Sequence, residues 1–220
     1  GVFYKKKRII YLNLLSVQKT KENTGIMKPQ KKILVLDGNM APDGDSFSLH
    51  LNRITDLLQK DNEVRIFHLN KMNLQYCTGC WSCWWKTPGS CIIKDGAEEI
   101  FYSFVHSDLV IFASPVMAGF TSSALKKITD RLIVLIHPYI QIINKECHHR
   151  KRYDKYPDFG VLLSKEADTD PEDIEIINNI YKRLAINLHS RLVFSLLAND
   201  LKDVDFINNP GMFANKPKNK

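Results

Sequence analysis

No stretch of the 220 residues approaches the roughly 18 unbroken apolar residues that a membrane-spanning helix needs, and the sequence predicts no membrane span. Glycine is modest at ten residues, and neither a G-x-G-x-x-G run nor a P-loop occurs, so the usual nucleoside-phosphate fingerprints are missing. Cysteine is scarce and odd in number, five in all, which argues against an extracellular disulfide framework and for a cytoplasmic chain. Spread-out positive charge is missing as well. The net charge is +7, yet residues 1–32 hold nine Lys or Arg against Glu22, and the remainder holds 22 basic and 23 acidic residues. A nucleic-acid groove needs clustered positive charge on a folded face, so nucleic acid is excluded as a partner. With 44% hydrophobic and 25% charged residues, a disordered or fibrous protein is excluded too.

Three segments follow from these patterns: a basic N-terminal arm over 1–31, one domain over 32–199 and a polar tail over 200–220. Lys5–Arg8 followed by Ile9–Leu15 has the charged and apolar regions of a secretory signal. Ser16-Val17-Gln18 is a poor cleavage site, and Met27 just before the first strand supports an extended start instead.

Within the domain, Ile33–Leu36 is a continuous apolar run, the mark of a strand buried on both faces. Phe47, Leu51, Ile54 and Leu58 recur at helical spacing behind Asp45 or Ser46 as N-cap. Val64–Leu69 reads as a second strand, and a Cys- and Trp-rich loop of about 25 residues follows, long enough to be functional. Ile100, Phe101, Phe104 and Val105 mark a short helix, and Asp108–Ala113 a strand ending at Ser114-Pro115. Leu125, Ile128, Leu132, Leu135 and Ile136 predict one long helix, and His148–Lys155 a basic loop. Gly160–Leu163 is a strand, a helix begins near Pro171, and Leu192–Leu197 is the last strand. Such alternation predicts an α/β fold with a parallel sheet covered on both faces, its ligand beyond the strand C-termini at the switch point. Residues 37–46, 114–120 and 164–170 are then the informative loops.

Several groups carry chemistry. The first loop opens a helix, whose N-terminal amides form either an anion site or a plain turn capped by Asp45. In Ser114–Phe120, Pro115 stiffens the strand end and Gly119 allows close backbone approach, while Met117 and Phe120 suit a flat ring; taken alone, these residues read first as a strand end with a helix-start turn. Cys77, Cys80, Cys83 and Cys91 have the compact spacing of a [4Fe–4S] cluster, with zinc a poorer fit; reduced thiols in a loop held by Trp81, Trp84 and Trp85 are the alternative. His148 and His149 stand beside Arg150, Lys151 and Arg152 and read as a solvated loop or a patch for dinucleotide phosphates. Cys147 is a lone, inert thiol.

Together these pieces resemble the flavodoxin-like NAD(P)H-dependent FMN reductases, the branch with the iron–sulfur flavoproteins above all. The resemblance runs from Lys32 to about Asn199. It is carried by the segment from Cys77 to Asp95, by Ala113–Gly119, by Leu125-Lys126-Lys127 with Asp130-Arg131, and by Asp45-Ser46-Phe47. It implies a three-layer sandwich with a five-stranded parallel sheet in the order 2-1-3-4-5. It also implies FMN with its phosphate on Asn39, Asp45, Ser46 and Phe47 and its ring on Pro115, Val116, Met117, Ala118 and Gly119. Hydride would pass from NAD(P)H to flavin and on to a quinone, free flavin or an iron–sulfur acceptor, with no acid–base residue required. A homo-oligomer, dimer or tetramer, is the implied assembly. Ala41 stands where a basic residue is frequent, Asp45 where Asn is, and Met117 where Tyr is common. An electron carrier, or a non-catalytic protein of the same fold, is the competing expectation.

Overall fold

The computed structural model describes residues 30–143 and 145–198; the expectations for the N-terminal arm before residue 30 and for the tail from residue 199 lie outside the described residues. Along the chain run β1 (Lys32–Asp37), α1 (Ser46–Gln59), β2 (Glu63–His68), the single turn α2 (Ser82–Trp85), α3 (Ala97–Val105), β3 (Leu109–Met117), β4 (Phe120–Thr121) and α4 (Ser123–Arg131). They are followed by β5 (Ile136–Ile143), β6 (Glu146–Lys151), β7 (Asp158–Ser164), α5 (Pro171–Asn187) and β8 (Leu192–Leu197).

Side chains alternate across a strand, so an all-apolar strand must be covered on both faces. In β1, Leu34 and Leu36 join Val110 and Phe112 of β3 and Phe159, Val161 and Leu163 of β7 under helices α3, α4 and α5. Ile33 and Val35 face the other way, with Leu109, Ile111, Leu162 and Phe194, under Phe47, Leu51, Ile54 and Leu58 of α1. This makes three layers. Phe104, Phe112, Phe159 and Tyr181 meet edge to face in the first core, with ring centroids 5.0–6.5 Å apart. The parallel sheet has the order β2-β1-β3-β7-β8, the flavodoxin-like order expected, with the reversal of winding between β1 and β3.

Three expectations are corrected. The long helix from Leu125 ends at Arg131, continues as a tight turn over Leu132–Leu135 and becomes β5 at Ile136. Pro138 disfavours helical geometry at His137, and β-branched Ile136 opens the extended chain that follows the turn. The first half of the basic loop at His148 is a strand: β6 pairs antiparallel with β5, and its polar composition hid it. The third strand runs past Pro115 to Met117, because β4 folds back on it, with Val116 opposite Thr121 and Met117 opposite Phe120. Among the described residues no helix is long and apolar enough to cross a membrane.

Candidate functional site

The first candidate loop is closed by its own side chains. Asp45 caps α1, accepting hydrogen bonds from the Phe47 amide (3.2 Å) and the Ser48 amide (3.1 Å). The Asn39 side-chain amide donates to Asp45 Oδ1 (2.7 Å) and to Ser48 Oγ (2.8 Å), while its own backbone amide donates to Asp37 Oδ1 (2.9 Å). Burial opposes charge on Asp45, but the bonds from Ser48, Asn39 and Phe47 outweigh it and hold the carboxyl below its ordinary range. Beside the loop, His68 Nδ1 lies 2.7 Å from Asp37 and Lys71 donates to Asp43 at 2.9 Å.

The second loop sits directly against the first. The Gly38 amide donates to Ala113 O (2.8 Å), and Ser122, the N-cap of α4, donates to Gly38 O. A Cβ on Gly38 would lie 2.7 Å from Ser122 Oγ and 2.8 Å from Leu125 Cβ, so only glycine lets the two backbones approach this closely. Ser114 Oγ accepts from the Ser122 amide (2.8 Å) and fixes the end of β3. Ala118 and Gly119 turn the chain with φ of 49° and 76°, a two-residue hairpin turn in left-handed geometry. Pro115 and Val116 are buried below it, while Met117 and Ala118 are exposed at its tip.

The four clustered cysteines come together. Cys77, Cys80, Cys83 and Cys91 line one cavity with Trp81, Ile92, Ile93, Ile133, Val134 and Arg131. Left-handed Gly79 and Trp81 bend the chain ahead of α2. Trp84 then anchors that turn by donating its indole N–H to Ile133 O (2.9 Å), and its ring meets those of Trp81 and His149. The thiols are not equivalent. Hydrogen bonds from the Ser82 amide and hydroxyl pull exposed Cys80 below its ordinary pKa. Burial pushes Cys83 up, and the neighbouring thiolates Cys91, Cys77 and Cys80 act in the same direction. His148 is buried rather than solvated; its ring lies 3.0 Å from Asn187 Oδ1 and 3.1 Å from Glu146.

A buried pair that spacing did not reveal holds this segment. Arg131, at the end of α4, donates to Asp95 Oδ2 (2.6 Å) and Oδ1 (3.0 Å), and Asp95 also accepts the Gln75 amide (2.7 Å). Burial works against the charge on Asp95, but the Arg131 guanidinium and the Gln75 and Ala97 amides hold it below the usual carboxylate range. Its partners lie 20 and 36 residues away in sequence, so no local signal marks it.

A model of NADPH-dependent FMN reductases matches residues 31–151, more than half of the chain. The chain belongs to that family. An iron–sulfur flavoprotein of Methanocaldococcus jannaschii is 31% identical over 100 residues, 46% of this chain and 50% of that protein. One from Clostridioides difficile is 28% identical over 107 residues, 47% of each. The chain thus spans about half the length of the curated relatives it matches. Among solved structures, an NAD(P)H:quinone oxidoreductase from Methanothermobacter marburgensis superposes with a TM-score of 0.53 at 16% identity, covering 84% of this chain and 96% of that one. An azoreductase from Bacillus anthracis gives 0.51 at 14%, covering 83% and 95%. These structures share the flavodoxin-like fold of this FMN reductase family member.

Two groups implied by such relatives test the site. A flavin phosphate asks for free donors at the head of α1: Ser46 is exposed there, whereas the Phe47 and Ser48 amides already bond Asp45. A flavin ring asks for exposed backbone beside an apolar side chain, which the turn at Met117–Gly119 offers. A cluster asks for several thiolates around a dry space. Among the described residues no His, Cys, Asp and Glu group suits a single metal ion, but four thiols around an Ile- and Val-walled cavity have the chemistry of an iron–sulfur donor set.

Proposed function

We propose that this chain is an FMN-dependent NAD(P)H oxidoreductase that passes electrons to a quinone, free flavin or iron–sulfur acceptor. One observation carries the reading: the loops after β1 and β3 are tied together at the switch point of the sheet, where ligands of this architecture bind. Bound FMN would supply hydride and electron transfer chemistry; the chain's own residues position it. In this reading the exposed Met117 lies along the flavin ring, and Ala118 and Gly119 bring backbone to its edge. Pro115 and Val116 hold that edge rigid from below, Ser46 meets the phosphate, and Asn39 keeps the loop in shape.

Cys77, Cys80, Cys83 and Cys91 would hold a [4Fe–4S] cluster, a one-electron carrier beside the flavin, with Trp81, Ile92 and Ile133 keeping water from it. The names of the iron–sulfur flavoprotein relatives and the shared cavity support this assignment. A soluble cytoplasmic homo-oligomer, dimer or tetramer, is part of the same reading; exposed Tyr76, Trp81 and Trp85 give it an apolar surface to bury.

Equilibrium titration with FMN, followed by NADPH and NADH oxidation under anaerobic conditions, tests the oxidoreductase reading. Flavin binding with pyridine nucleotide oxidation is expected. A protein that binds no flavin at millimolar concentration would remove it.

A further inference from the structure

Arg131 is the one charged side chain on the wall of the four-thiol cavity among the described residues. Its side chain is 1% exposed and that of Asp95 is 7% exposed. Both terminal nitrogens of the guanidinium are engaged, while its buried Nε has no hydrogen-bond partner among the described residues. Nη1 donates to Asp95 Oδ2 and to Gln75 O (3.2 Å), ahead of Cys77; Nη2 donates to Asp95 Oδ1, to Ile93 O (3.4 Å) and to the sulfur of Cys91 (3.6 Å). One side chain from α4 therefore clamps both ends of the cysteine segment and touches a thiol within it.

A clamp alone needs no charge. An ion pair this deeply buried gives no more stability than well-packed apolar side chains of the same volume, because taking both ions out of water is costly. What the cavity needs, once its four cysteines bind a cluster as thiolates, is positive charge. A cluster held by four thiolates is an anion, and adding an electron makes it more negative. A cation hydrogen-bonded to a ligand sulfur stabilises the reduced form more than the oxidised one, and hydrogen bonds to sulfur and local net charge are what set such potentials.

Resting on the cluster reading above, we infer that Arg131 is a positioning residue for the Cys77–Cys91 site: through Cys91 it raises the reduction potential of the group held there, and Asp95 is the counter-charge that limits this effect. Arg131 acts through a ligand and does not itself carry electrons.

The two charges oppose each other, so the inference makes a signed prediction that a structural clamp does not. The test is anaerobic reconstitution of wild type, Arg131→Gln, Arg131→Lys, Asp95→Asn and the Arg131→Gln/Asp95→Asn pair with ferrous iron and sulfide. Iron and sulfide per chain are measured first, then the potential is read by mediated titration of the visible and electron paramagnetic resonance signals. Arg131→Gln is expected to shift the potential negative, Asp95→Asn to shift it positive, Arg131→Lys to stay near wild type, and the double variant to fall between the single ones. Single variants that move together, or do not move with iron retained, overturn the inference and leave the cluster reading standing. If Arg131→Gln does not fold, Asp95→Asn decides, because the absence of a positive shift overturns the inference by itself. Wild-type protein that takes up no iron and sulfide removes the cluster reading and this inference with it.

Discussion

Two loops of this protein are each organised by one aspartate, and they are organised in opposite ways. Asp45 holds residues 37–47 from within: its partners Asn39, Phe47 and Ser48 lie six residues away or fewer. Asp95 holds residues 75–95 from without, through a guanidinium 36 residues further along the chain. The first carboxylate consumes backbone donors that an anion would use. The second keeps a cation next to four thiols. The same residue type thus lowers the affinity of one loop for negative charge and tempers the positive charge of the other. The difference is that Asp95 adds an arginine to its amide partners, whereas Asp45 has only neutral ones.

Breaking the long-range arrangement should have the largest effect. Arg131→Met leaves Asp95 buried without its counter-ion, and loss of one partner of a buried pair costs about 3–5 kcal/mol. Urea unfolding of Arg131→Met and of Asp45→Ala gives the comparison directly. Loss of the Asp45 cap is expected to cost only about 1 kcal/mol. If the two variants are equally destabilised, the cysteine segment does not depend on its distant clamp as described.

The local arrangement should show itself in ligand affinity more than in stability. Asp45→Asn keeps a capping oxygen and removes the negative charge beside the proposed phosphate subsite. FMN is expected to bind roughly tenfold tighter, a change of about 1.4 kcal/mol, with stability altered by only a few tenths. Riboflavin, which has no phosphate, should show no gain. A gain common to both flavins would mean that Asp45 acts on the ring or the loop shape and not on phosphate charge.

A third effect, of about 1 kcal/mol, lies within the cysteine segment. Trp84→Phe keeps an aromatic ring, though a smaller one, and removes the indole donor to Ile133 O, where α2 of the cysteine segment meets the turn after α4. Thermal unfolding should show that loss, and near-ultraviolet circular dichroism should show a change in the packing of Trp81 against its neighbour. An unchanged melting temperature would mean that apolar packing alone fixes the segment.

How much of this was legible in the sequence follows the same division. Interactions that close within a few residues were readable. The strand at Ile33–Leu36, the Asp45 cap and the sheet order all follow from periodicity, turn chemistry and family resemblance, and the structure has them. The four cysteines were readable as a group, since three of them lie three residues apart. What failed was longer in range or polar in composition. The helix from Leu125 stops at Arg131, tightens into a turn and turns extended at Ile136 ahead of Pro138, although apolar spacing continues to Ile136. The strand Glu146–Lys151 is polar almost throughout and exists because β5 pairs with it. Asp95 and Arg131 were visible only as parts of a family pattern, with no role, because nothing between residues 95 and 131 says that they meet.

The smallest expected effect is the share of Asp45 in the dependence of stability on pH. Both carboxyls titrate below their ordinary value in the folded chain. A depressed folded pKa contributes stability that is fully present above the unfolded value, about 3.9 for Asp, and is lost as pH falls through the lower folded value. Neither group should therefore give any slope between about pH 6 and 8, and both should contribute to unfolding in acid. Asp45 is only half-buried, so solvent screening limits its share to a few tenths of a kcal/mol. Unfolding free energies of wild type and Asp45→Asn, measured from about pH 2.5 to 6, should differ by a constant amount above about pH 5, with the difference changing below about pH 4 as the wild-type carboxylate protonates. A difference that stays constant down to the acid limit would mean that the cap at α1 does not depend on ionised Asp45. The contrast between a loop closed by a charged group and one balanced by a distant cation would then lose its first member.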